Sequence, residues 1–320
     1  MATIGSGKYT YEITGQDWGK LLEGWSYKEA TAVAVDAKDN VFVFGRGKPS
    51  VIVMNRDGEV LRSWGDGLFT NPHGITIGPD GAVYCVDVGD HTVRKFTPEG
   101  KLLMTLGTPG KATMDKPFNR PSHAAVDPRD GSLYVSDGYN NARVHKFSPD
   151  GKLLHSWGRS GTDPGEFNIV HNVAVDREGW VYVADRENHR VQVFDSKGKF
   201  ESQWVNLAPA SCIYVDTRAE PVVYVGEFYA GLPESPSGYG NWTQSRLGPR
   251  LTVLDRKGKV LARVGDRPMG LETGQFVAPH GIAVDSKGDV YVAEVSFSIY
   301  GSKQTPPRTV RSFQKLVRKG

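Results

Sequence analysis

The chain has 320 residues, 38% of them apolar and 23% charged, with 38 glycines and 19 prolines. That composition suits many short strands joined by turns, and it excludes a disordered chain or a helical bundle. With 39 basic and 36 acidic residues the net charge is +3, too even a balance for a polyanion binder despite the locally basic Val310 to Lys319, so nucleic acid is not an expected partner.

The first residues, Met1 to Tyr9, contain no apolar signal core, and no run approaches the roughly 18 apolar residues of a membrane span. Cys85 and Cys212 sit in separate strand-like apolar runs, which predicts two buried thiols in a reducing compartment. A cytoplasmic location with no membrane partner is the expectation.

Aligning the chain with itself gives units beginning near Thr31, His73, Ser122, His171, Ser211 and His280, a spacing that fits propeller blades with insertions. The third unit shows the pattern most fully. Ala124 to Asp127, Ser132 to Asp137, Ala142 to Phe147 and Lys152 to Trp157 read as four antiparallel strands separated by turns. The Pro79 to Gly81, Pro98 to Gly100 and Pro149 to Gly151 turns supply the positive-φ positions that tight hairpins need. The prediction is an all-β, six-bladed β-propeller forming one domain over residues 1–320. Lys8 to Thr14 should add the outer strand that closes the ring and hides the sheet edges. Two insertions interrupt the units: Gly226 to Pro249, carrying Phe228, Tyr229, Tyr239 and Trp242 and long enough for a lid or pocket wall, and the shorter Ser296 to Pro307.

The slot at the start of the first strand holds His73, His171 and His280 in units two, four and six, and Thr31, Ser122 and Ser211 in the others. In a propeller that slot faces the central channel, so alternate blades present three imidazoles in a trigonal set with an open coordination position, as a catalytic Zn²⁺ site needs. A lone histidine is more often packed or solvated; three in the same slot favour metal. Of the other histidines only His123, one residue past the slot, is placed to approach the channel. The loops between strands two and three fall on the face where the histidines lie. Recurring residues there, Asp87, Asp137, Asp185, Asn141 and Arg190, suit loop bracing. Arg46, Tyr139 and Arg186 are specific to single blades, and two guanidiniums near a phenol favour its phenolate, which suits Tyr139 to act as a base. An arginine taken alone is almost as well explained by a surface ion pair.

From roughly Ala30 to Phe313 the sequence resembles NHL repeats and, as a set, the peptidyl-α-hydroxyglycine α-amidating lyase family. The resemblance rests on Pro72-His73-Gly74, Val170-His171, Pro279-His280, Arg46 within Val43 to Gly47, Tyr139 within Ser136 to Arg143, and Arg186 within Ala184 to Asn188. It implies that His73, His171 and His280 bind catalytic Zn²⁺, that Tyr139 is the general base, and that Arg46 and Arg186 support it and the substrate. The implied reaction cleaves a peptidyl or other N-acyl α-hydroxyglycine into an amide and glyoxylate, with no redox cofactor. Gly281 stands where the family's structural Ca²⁺ site has an aspartate, which argues against Ca²⁺, and Asn140 replaces a half-cystine. No monooxygenase domain precedes the propeller, so a separate hydroxylating enzyme is the expected source of substrate. Two alternatives stay open: a metal-dependent lyase or hydrolase for another small carbonyl adduct, and a non-enzymatic NHL module that binds RNA or protein.

Overall fold

The structure, a computed structural model, describes residues 2–14, 18–218, 220–230, 247–265 and 267–319. Six antiparallel sheets form a ring, the six-bladed β-propeller predicted from the repeats. The inner strands are Ala30–Val35, Pro72–Ile77, His123–Val126, Val170–Val175, Ala210–Asp216 and Pro279–Val284, each beginning within one residue of its expected slot. Blade three continues through Leu133–Asp137, Arg143–Phe147 and Leu153–Trp157, and its strands pair in sequence order.

Blade six is assembled from both ends of the chain. Its inner strand Pro279–Val284 and second strand Val290–Glu294 are followed by Phe313–Arg318, which pairs with Tyr9–Ile13 from the N-terminal region. Tyr9–Ile13 is the closing strand expected from the sequence, and Thr3–Ser6 adds a fifth strand outside it. Closure leaves the ring without a gap between its first and last blades.

The core lies between blades. Phe42, Phe44, Val51 and Val53 of blade one pack against Ile75, Val83, Cys85 and Phe96 of blade two, all essentially buried. Burial of a side chain the size of Phe42 or Phe44 contributes on the order of 1.5–3 kcal/mol each. A second contact repeats round the rim. Trp64, Trp157 and Trp204 end the outer strands of blades one, three and four, and each ring covers a turn glycine of the following blade: Gly100, Gly198 and Gly258. A Cβ there would come within 2.2–2.7 Å of the indole, and φ is +80° to +89°, so these turns require glycine on two counts.

One irregularity positions the site. In the pairing of the inner with the second strand the ladder skips the slot residue, with a shift between Pro72 and Gly74, between Val170 and Asn172, and between Pro279 and Gly281. A β-bulge re-aims the side chain it carries; the same shift skips Thr31 and Ser211, so the bulge belongs to the repeat and the histidines use it to face the channel. The insertion at Ser296 folds into a short helix, Ser296–Ile299, and a 3-10 turn, Gly301–Lys303. Of the Gly226 to Pro249 insertion expected to form a lid or pocket wall, residues 231–246, with Tyr239 and Trp242, lie outside the described residues.

Candidate metal centre

His73, His171 and His280 are 1–5% exposed and their rings meet at the channel mouth, with centroids 4.5–5.0 Å apart. Each is oriented by the backbone of the next blade. Nδ1 of His73 lies 2.7 Å from the Ser122 carbonyl, Nδ1 of His171 lies 2.5 Å from that of Ser211, and Nδ1 of His280 lies 2.6 Å from that of Thr31. A carbonyl oxygen only accepts, so each Nδ1 carries the proton. The slots holding serine or threonine are thus the supports for the slots holding histidine.

Burial holds all three imidazoles neutral. It depresses His73 and His171 well below the usual histidine range and His280 to about 3, with the Arg186 charge pushing all three, and the Arg46 charge His73 and His280, in the same direction. A neutral ring with its proton on Nδ1 presents a lone pair on Nε2. The ligand atoms of the three side chains lie within 4.8 Å of one another, and this is the one such cluster of His, Cys, Asp or Glu among the described residues. Neutral imidazoles, fixed tautomers and carbonyl-bound Nδ1 atoms are the donor set and outer support that a His₃ metal site uses. The residues present fit a metal ion.

Tyr139, from the second loop of blade three, reaches over this trio. Its Oη is 3.0 Å from Nε2 of His73 and 3.0 Å from Nε2 of His171. Arg186, 11% exposed in its side chain, donates from Nη1 to Tyr139 Oη at 3.5 Å and from Nε to Glu187 at 2.8 Å. Burial alone would lower the Arg186 pKa, yet the Tyr139 and Glu187 oxygens outweigh it and leave it raised, so the cation is secure. Phe228, at the start of the long insertion, stacks on His280 with centroids 6.1 Å apart and lies 5.7 Å from the Arg186 guanidinium.

Arg46 enters from blade one. Its Nη1 meets Glu29 Oε1 at 2.6 Å and Ser298 Oγ at 3.3 Å, and its Nε donates to the Pro72 carbonyl at 3.3 Å, next to His73. Glu29 also accepts from the backbone and hydroxyl of Ser298, so the short helix of blade six sets the position of an arginine in blade one. The second guanidinium on the Tyr139 ring comes from Arg120, 5.3 Å from its centroid, a residue the sequence reasoning passed over.

The recurring acidic residues brace loops. Asp87 accepts from the backbone of Thr70, Asn71 and Gly89; Asp137 accepts from Asn119 and Asn141; Asp185 accepts from Asn168, Asn188 and Arg190. His123 lines a channel cavity of about 240 Å³ beneath the trio, together with Asn172 and Gly281. A Cβ at Gly281 would fall 2.7 Å from the Ala32 Cα, so no side-chain ligand fits at that position without backbone movement. Asn140 donates to Asn119 Oδ1 at 3.1 Å, a non-covalent tie across the loops beside Tyr139.

NHL repeats match residues 69–96, 118–147 and 167–194. The chain is 36% identical over 292 residues to NHL repeat-containing protein 3 of Mus musculus, covering 85% of this chain and 77% of that protein. The chain belongs to the family of NHL-repeat proteins. This NHL-repeat chain is also 34% identical over 257 residues to peptidyl-alpha-hydroxyglycine alpha-amidating lyase 1 of Drosophila melanogaster, covering 75% of this chain and 45% of the lyase. Among solved structures it superposes on virginiamycin B lyase of Staphylococcus aureus with a TM-score of 0.56 at 12% identity, covering 97% of this chain and all of that one, a likeness of fold. No helix among the described residues is long and apolar enough to cross a membrane.

Proposed function

We propose that this propeller is a zinc-dependent carbon–nitrogen lyase that cleaves peptidyl or other N-acyl α-hydroxyglycines into an amide and glyoxylate. The observation that carries the reading is a phenol oxygen 3.0 Å from two inward-facing imidazole nitrogens, with a buried guanidinium at its side. The 34% identity to the Drosophila lyase supports the substrate class.

His73, His171 and His280 would hold the ion through Nε2. Zinc bound there supplies a Lewis acid that acidifies a hydroxyl. Tyr139 Oη accepts the proton of the substrate's α-hydroxyl. The hydroxyl oxygen becomes the aldehyde of glyoxylate as the C–N bond breaks, the bonding pair goes to the amide nitrogen, and Tyr139 returns the proton there. Arg186, which donates to Oη, stabilises the phenolate that is the base before the first transfer and that is restored by the second. Arg46, 23% exposed in its side chain and fixed by Glu29, holds the substrate carboxylate through charge-assisted hydrogen bonds.

The test is glyoxylate release from N-benzoyl-α-hydroxyglycine by the purified protein, with and without a zinc chelator. Metal-dependent release supports the lyase. The identity to NHL repeat-containing protein 3 favours a second reading, a propeller that binds a partner without turnover. Zinc-loaded protein that releases no glyoxylate would favour that reading.

A further inference from the structure

The ring of Tyr139 carries a guanidinium from Arg120 as well as from Arg186, at 5.3 and 5.5 Å from its centroid. Arg120 lies in the chain between blades two and three, and its backbone is held from two directions. The Asn119 N–H donates to the Asp137 carboxylate at 2.9 and 3.1 Å, and the Arg120 N–H donates to Nδ1 of His91 at 3.0 Å. Its φ is +64°, in the left-handed region that residues with a Cβ seldom occupy. The same conformation recurs at Ile169, which stands two residues before His171 as Arg120 stands two before Ser122, so the backbone is that of the repeat and what is particular to Arg120 is the guanidinium it fixes over the proposed base.

The three arginines differ in their charge balance. Arg46 is neutralised by Glu29 and Arg186 by Glu187, whereas Arg120 has no carboxylate partner among the described residues and is exposed. The outer side of Tyr139 therefore carries an uncompensated positive charge on a group whose geometry matches carboxylates through paired hydrogen bonds. The carboxylate of the hydroxyglycine itself is taken by Arg46, deeper in the site beside His73. An anion met by Arg120 has to sit on the other end of the substrate, which extends outward past Tyr139.

We propose that Arg120 is a specificity-determining residue that binds an anionic group on the acyl portion, so that the preferred substrates are α-hydroxyglycines whose acyl group ends in a carboxylate. This rests on the lyase reading.

N-succinyl- and N-butyryl-α-hydroxyglycine have acyl chains of the same length and differ by the terminal carboxylate. Wild-type protein is expected to favour the succinyl compound by tenfold or more in kcat/KM, chiefly through KM. Arg120→Gln should bring the succinyl value down to the butyryl one, and Arg120→Lys should recover part of it, since lysine keeps the charge without the fork. Equal use of both compounds by wild type, a preference that survives Arg120→Gln, or an equal fall in kcat for both would overturn the assignment. If neither compound is cleaved, the lyase reading fails separately. Arg120 is then judged by calorimetric binding of N-succinylglycine against N-butyrylglycine, which cannot react, and equal affinities would overturn it.

Discussion

Tyr139 Oη lies 3.0 Å from His171 Nε2, although the two residues belong to different blades and are 32 positions apart in the chain. Because Nδ1 of His171 is committed to the Ser211 carbonyl, its Nε2 carries a lone pair directed at the phenol oxygen. The same holds for His73, so the two lone pairs that would face an ion also face this one phenol oxygen. Replacing Tyr139 by phenylalanine removes the proton carrier and keeps the ring that Arg120 and Arg186 cover. Tyr139→Phe is expected to keep its zinc content and melting temperature while kcat falls about 10²- to 10⁴-fold. Turnover near the wild-type rate would place the base elsewhere.

Zinc binding should need all three histidines. Elemental analysis is expected to find about one zinc per chain, and His73→Ala, His171→Ala and His280→Ala should each lose it, because two imidazoles make an incomplete site. Full occupancy in the three variants would refute the assignment of the ligands.

The two paired arginines should separate kinetically. Loss of Arg46 removes charge-assisted bonds worth roughly 1.5–3 kcal/mol, so Arg46→Ala is expected to raise KM about 10- to 100-fold with a smaller change in kcat. Glu29→Gln should shift KM in the same direction by releasing Arg46 from its 2.6 Å contact. Arg186→Ala should act on kcat, since its Nη1 touches Tyr139 Oη. Steady-state kinetics showing both constants unchanged in either alanine variant would remove that arginine from the mechanism.

Acid should weaken the fold through His123. Burial depresses this histidine to about 4, below an unfolded value near 6.5. Between those values the unfolded chain binds the proton and the folded one does not, so stability falls as pH drops from about 6.5 towards 4 and rises with pH in that window. The span is on the order of 2 kcal/mol, the full shift being discounted because the residue is only part-buried. His123→Asn should flatten that part of the curve in denaturant unfolding at several pH values. An unchanged slope would show that His123 does not contribute to it.

Phe44 is fully buried between blades one and two and meets Phe69 edge-on at 4.8 Å. Phe44→Ala is expected to cost about 3–5 kcal/mol, read by chemical denaturation. A loss below about 1 kcal/mol would mean that the inter-blade layer closes over the cavity, contrary to its packing.

The blades were legible because each repeats a two-residue alternation and ends in turns whose chemistry admits few residues, as Gly100 and Gly198 show. The histidine trio was legible for a related reason, since one slot in three alternate units carries the same unusual residue. Two features were not. The bulge that turns His73, His171 and His280 towards the channel is a matter of pairing register, which alternation alone does not reveal. The partners that set the arginines come from other strands: Ser298 reaches Glu29 across 269 positions, and Arg120 occupies a place in the repeat that blade four fills with Ile169. Repeat comparison finds what units share, so residues acting between units escape it.

The joining of Tyr9–Ile13 to Phe313–Arg318 sets one histidine apart from the other two. His73 and His171 stand on sheets whose four strands follow one another in the chain, whereas the sheet that carries His280 is finished only when two segments some 300 positions apart meet, Tyr9–Ile13 being already paired with Thr3–Ser6. Of the three imidazoles, His280 is thus the one whose placement depends on long-range closure, and a break in that seam would disturb it before the other two.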